Sequence, residues 1–140
     1  MTRPSHLLAA TVLGIAAFAT TLPTAAQEAP NSIVSLYRVA PGKHLEFLKW
    51  MAARDAVDRE IGVAATQWYA HLSGDSWDYI AIAPDLDEAT SERSDAEAKK
   101  RGLTTGARAS LEFRQVMAYH TDTLVSGPYT AEQLVEQAGK

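Results

Sequence analysis

The stretch from Glu112-Phe113-Arg114 to His120-Thr121-Asp122-Thr123, closing at Gly127-Pro128, holds the densest set of reactive side chains in this sequence. What it does chemically depends on its backbone. On a strand, residues two apart point the same way, so His120 and Asp122 would form an acid–base pair or two ligands of a metal. On a helix they diverge by about 200°, and Tyr119 rather than His120 lies near Asp122. Phe113, Val116, Met117, His120 and Leu124 fall on one helical face, while a period of two leaves neither face clean. The spacing therefore predicts a helix over Ala107–Leu124, with an extended ending open at the β-prone Thr121–Val125. His120 is then expected as a core histidine bonded to backbone, with Asp122 and Thr123 holding the loop before Gly127.

A second candidate pair is His71 and Asp78, placed opposite each other across a hairpin. A carboxylate facing an imidazole orients its tautomer and prepares a general base. The plainer reading is an exposed pair that pins the hairpin register, contributing about 0.2–1 kcal/mol. The catalytic candidates are thus His120, Asp122, His71 and Asp78. Trp68, Tyr69, Trp77 and Tyr79, with Trp50 and Phe47, form an aromatic group that serves as core, interface or ligand wall. Arg114 and Arg38 are candidate anion ligands, or partners in surface salt bridges. With no cysteine, three histidines after residue 26 and no His-x-x-x-His pattern, no metal site is expected. No Gly-rich phosphate loop, Walker pattern, nucleophile elbow or Ser-His-Asp order is present, which removes nucleotide-dependent and serine-hydrolase chemistry; no cofactor is expected.

The elements that must position these groups are readable from punctuation and periodicity. Ile33–Val39 is a strand stopped by Ala40-Pro41-Gly42. Lys43–Ile61 is a helix ended by Gly62, its inward side read as Leu45, Leu48, Ala52 and Ala56, widened by Phe47, Trp50 and Met51. Ala65–Leu72 and Trp77–Ala83 make a hairpin around Ser73-Gly74-Asp75-Ser76, pairing His71 with Asp78, Ala70 with Tyr79 and Tyr69 with Ile80. Both hairpin faces are substantially apolar. The chain's own helices cover one; the other packs on a partner or lines a cavity. Asp85–Arg101 is a solvent-facing helix capped by Asp85, and Thr130 with Gln133 boxes a last helix, Ala131–Ala138.

The order β-α-β-β-α, with the Tyr37-Arg38-Val39-Ala40-Pro41-Gly42-Lys43 strand-to-helix junction, resembles the dimeric α/β-barrel superfamily over Ile33–Arg101. That resemblance implies an α+β, ferredoxin-like split βαβ fold. A small antiparallel sheet would carry helices on one face and extra C-terminal helices, in a homodimer. Members include small cofactor-independent monooxygenases and haem-degrading proteins. The superfamily expects a fourth strand near the C-terminus, where this sequence prefers helix, and no catalytic residue is carried over.

The front of the chain sets the expected compartment. Arg3 is the sole charge before Glu28, an apolar run spans Leu7–Phe18, and Pro23-Thr24-Ala25-Ala26 precedes a cleavage point at Gln27. Met1–Ala26 is therefore read as a secretory signal peptide, its apolar run too short for the ~20 residues that cross a bilayer. Gln27–Ser32 is a flexible leader, and residues 33–140 are one domain. Absence of cysteine suits export, to periplasm or medium, without disulfides. The formal charge of −4, one unit more negative without Arg3, argues against nucleic acid as partner. No segment of the mature chain is long and apolar enough for a membrane partner. The expected function is an exported, homodimeric protein of unassigned activity that binds a small apolar ligand. The alternative is a cofactor-independent monooxygenase or isomerase-like enzyme with a histidine base in an aromatic pocket.

Overall fold

The computed structural model describes residues 30–139. The signal peptide read at Met1–Ala26 lies outside the described residues. Strand β1, Asn31–Val39, begins inside the stretch read as leader. It is followed by helix α1, His44–Glu60, strand β2, Gln67–Ala70, and strand β3, Tyr79–Pro84. Helix α2, Glu88–Lys100, helix α3, Gly106–Val116, strand β4, Met117–Ser126, and helix α4, Ala131–Ala138, complete the order. The four strands form one antiparallel sheet in the order β2-β3-β1-β4.

The principal correction concerns the predicted helix Ala107–Leu124. It breaks at Val116, and the chain leaves it directly into β4, which pairs with β1 along nearly its full length. Tyr119, Thr121, Thr123 and Val125 are β-formers, and β1 offers them a complete ladder, which outweighs the helical spacing that ran across the junction. The helical pattern was a splice of two elements. Phe113 and Val116 belong to the helix face, His120 and Leu124 to one face of the strand. β4 is the fourth strand the superfamily expects.

Cross-strand register divides the side chains cleanly. Ser35, Tyr37, Trp68, Tyr79, Ala81, His120 and Asp122 share one face, and Val34, Leu36, Tyr69, Ile80, Ile82, Tyr119 and Thr121 share the other. Helices α1 and α3 cover the first face. Phe47 is wholly buried there among Tyr37, Trp68 and Tyr79, at ring-centroid separations of 5.3, 6.2 and 5.6 Å. Val39, Ala81 and Val116 close this core. Helix α2 lies outside α1, tied to it by Ser94 Oγ donating to Asp58 (2.6 Å) and by an Arg101–Glu60 ion pair.

The inward face of α1 also differs from expectation. Leu45 is 66% exposed and Leu48 39%, whereas Phe47, Trp50, Met51, Arg54 and Val57 face the sheet or its neighbouring helices. An arginine in the buried sector hides that sector from a hydrophobicity count, so the leucine stripe was the more visible one. The cap of α2 is Asp87 rather than Asp85, its carboxylate accepting from the Thr90 N–H at 2.7 Å. The Thr130–Gln133 capping box forms as read, although no residue of α4 is buried. Among the described residues no helix is long and apolar enough to cross a membrane.

Candidate active site

In an extended β4, His120 and Asp122 project from the same face, opposite Tyr37 and Ser35 of β1. Ser35 is buried, and its Oγ donates to Asp122 Oδ1 at 2.7 Å. The other carboxylate oxygen lies 3.6 Å from His120 Nε2. The imidazole stands edge-on to Phe113 at 5.0 Å and nearly parallel to Tyr37 at 6.4 Å. The expectation of a helix-borne core histidine is thus corrected: His120 lies on a strand, and its side chain and that of Asp122 are 41% and 50% exposed on the face that the helices flank.

Both groups line a cavity of about 360 Å³ between the sheet, α1 and α3. Its walls include Tyr37, Trp50, Met51 and Phe113, with Thr105 and Gly106 at the start of α3. This is the size and character of a small-molecule site: apolar walls with a few convergent polar groups. Burial pushes the Tyr37 phenol above its ordinary value; the Ser35 hydroxyl opposes this, while the Asp122 and Asp55 charges reinforce it. The phenol therefore stays protonated at neutral pH. Among the described residues, no group of three or more His, Cys, Asp or Glu is arranged to hold a metal ion.

The pair His71–Asp78 is not assembled. The hairpin register is as read, with Ala70 opposite Tyr79 and Tyr69 opposite Ile80, and His71 N–H donates to the Asp78 carbonyl at 2.9 Å. The strands, however, end at Ala70 and resume at Tyr79. Asp78 turns instead to the Val39 amide, accepting at 2.7 Å, and to His44 Nε2 at 3.4 Å. The His71 ring lies 4.8 Å from Trp77, its Nε2 buried without a partner. Burial works to raise the Asp78 carboxyl, but the Val39 N–H, His44 and Arg38 outweigh it and hold the group below its ordinary range.

That depression has a pH consequence. The stability it contributes is whole above the unfolded aspartate value of about 3.9, and is lost as pH falls through the lower folded value. Denaturant unfolding followed from pH 6 downward should show Asp78→Asn less stable than wild type at the top and converging with it in acid. Parallel curves would contradict the assignment.

None of the five residues read as ligand-binding lines this cavity. Trp68 is core, its Nε1 donating to Asp55 at 2.8 Å, and Tyr79 stacks on Phe47. Tyr69 is half exposed on the opposite sheet face. Trp77 lines a separate hollow of about 280 Å³ with Arg38 and Tyr119. Arg114 is exposed on α3. The residues missed are Ser35, Tyr37, Arg54 and Thr105. Ser35 and Tyr37 had a signal, their period-two placement in a strand read correctly.

No family model matches the sequence, and no curated protein is similar to it. Several solved structures are. SnoaB of Streptomyces nogalater, a cofactor-independent oxygenase, superposes with a TM-score of 0.50 at 16% identity, over 74% of this chain and 97% of its own. The Arabidopsis thaliana protein At3g17210 gives 0.51 at 9% identity, over 73% of this chain and 99% of its own. A dimeric ferredoxin-like protein of unknown function from Thermobifida fusca gives 0.47 at 13%, over 72% and 93%. At such identities the likeness establishes the fold alone, a ferredoxin-like α+β domain.

Proposed function

We propose that this chain is a small cofactor-independent enzyme that removes a proton from a largely apolar carbon acid, with His120 as the general base. One observation carries the reading: His120 and Asp122 stand side by side on one strand face, in an aromatic cavity, with Asp122 anchored by Ser35. The Asp122 carboxylate attracts the Nε2–H tautomer, which leaves the Nδ1 lone pair as the base. Nδ1 accepts the proton from the substrate carbon, and the C–H electron pair moves into the adjoining carbonyl as an enolate. Return of the proton to another carbon is isomerisation. Phe113, Trp50 and Tyr37 suit a flat, mainly apolar substrate. The oxygenase SnoaB supplies fold-level analogy only, since one fold hosts many reactions.

Solvent-deuterium incorporation into β-tetralone, followed by proton NMR, tests the reading. Wild type should accelerate exchange, and His120→Gln should reduce the protein-catalysed rate by about 100-fold or more with the fold intact by circular dichroism. Equal rates in the two proteins would overturn it.

The apolar sheet face of Val34, Leu36, Ile80 and Ile82, left open by the helices, supports a homodimer in which a second copy covers it. Light scattering should give twice the chain mass for wild type and the monomer mass for Leu36→Glu; a monomeric wild type refutes this. The composition of Met1–Ala26 supports export, for which N-terminal sequencing of the protein secreted by a bacterial host should begin at Gln27. A retained Met1 would contradict it.

A further inference from the structure

Proton removal as described leaves the one cationic side chain among the cavity's lining residues without a task. Arg54 lies on α1 one turn beyond Trp50, and its guanidinium sits 3.9 Å over the Trp50 ring. Its Nη2 donates to the Thr104 carbonyl at 2.9 Å, which fixes the group against the loop before α3. Its Nε is buried and has no hydrogen-bond partner. A charged donor left unmet in a protein interior is costly, and such a group calls for an explanation.

The wall of the cavity links this cation to the base. Trp50 lies 5.3 Å from Phe113, and Phe113 lies 5.0 Å from His120, so two rings separate guanidinium from imidazole. Base and cation thus line one cavity, along whose aromatic wall a flat substrate would lie. We infer that Arg54 binds the substrate's carbonyl oxygen and holds the negative charge that arrives there when His120 takes the proton. This rests on the proton-transfer reading of the same cavity and names its substrate class: a neutral ketone whose acidic carbon is attached to an aryl ring.

Neutrality follows from the other charges. The carboxylates of Asp95 and Asp122 line the same cavity, so a substrate carrying a permanent anion is repelled. Burial lowers the Arg54 pKa, and Glu112, Asp95 and Asp58 act against that, which keeps the guanidinium in an acidic field. Charge that develops only as the proton leaves is met by a donor already in place. That is the condition under which an interaction accelerates reaction rather than merely tightening binding.

The test uses three probes with wild type, Arg54→Gln and Arg54→Lys. β-Tetralone is the exchange substrate, β-naphthol a planar mimic of its enol, and β-naphthoate the permanent anion. Calorimetric titration of wild type should show β-naphthol bound more tightly than β-naphthoate, and Arg54→Gln should weaken β-naphthol by about 10-fold or more. Exchange by Arg54→Gln should lose kcat with KM nearly unchanged, and Arg54→Lys should recover part of it. A purely structural arginine would not produce that split. Unchanged β-naphthol affinity in Arg54→Gln, tighter binding of β-naphthoate, or no binding of β-naphthol by wild type would each overturn the inference. Arg54-dependent binding of β-naphthol without any catalysed exchange would sink proton transfer alone and leave Arg54 as the oxygen-binding group.

Discussion

Replacing Phe47 with alanine is expected to cost about 3–5 kcal/mol of folding stability, the largest loss of any single truncation among the described residues. Phe47 is completely buried on α1, touching aromatic rings from three strands. Removing it withdraws transfer free energy and leaves a void bordered by Tyr37, Trp68 and Tyr79, three large rings already tied to their strands. Domains of this size have about 5–15 kcal/mol in total, so Phe47→Ala should unfold at a much lower denaturant midpoint. Leu45→Ala on the same helix is the control. Its side chain is 66% exposed, and its change should stay within about 0.5 kcal/mol, as for ordinary surface substitutions. Equal losses for the two would mean that the leucine stripe, not the aromatic one, faces the sheet.

The second large effect is on rate. Asp122→Asn should lower catalysed deuterium exchange by about 100-fold, because it offers the wrong group to the imidazole. The Asp122 carboxylate spends one oxygen on the Ser35 hydroxyl and presents the other to His120 Nε2. An amide that keeps the Ser35 bond turns its NH2 toward the ring. Nε2 must then accept, the proton moves to Nδ1, and the lone pair that takes the substrate proton is gone. Steady-state exchange at saturating β-tetralone measures this directly. Ser35→Ala should have a smaller effect, since the carboxylate remains although its orientation is freed. An Asp122→Asn protein as fast as wild type would show that the carboxylate does not set the tautomer.

The contrast between strands β1 and β4 explains how far the sequence reaches. β1 was readable because Pro41-Gly42 punctuates it and its β-formers have no competing period. β4 was not, because Phe113, Val116 and Met117 close one element just as His120 and Leu124 open another, and together they mimic a single helical face. The decision between helix and strand there is made by β1, a partner some eighty residues earlier whose free ladder edge no local window contains. His120 and Asp122 were nonetheless identified as the pair to watch, and a strand was named as the state that would unite them. Arg54 escaped notice for a different reason. A guanidinium stacked on a tryptophan occupies an apolar face without registering as apolar, so its inward direction becomes visible only with Trp50 and Thr104 around it.

The His71–Asp78 pair failed through side-chain direction rather than register. The backbone bond between the two residues forms, yet the Asp78 carboxylate turns to the Val39 amide, a stronger attraction than an imidazole across the turn.

The central claim is that the His120 ring borders the place where a flat ligand lies. A long-range proton–nitrogen correlation spectrum of the imidazoles during titration with β-naphthol addresses it in one experiment. The His120 nitrogens should shift saturably, with the tautomer carrying hydrogen on Nε2, while those of His71 stay in place. Saturable binding that moves His71 and leaves His120 untouched would contradict the account.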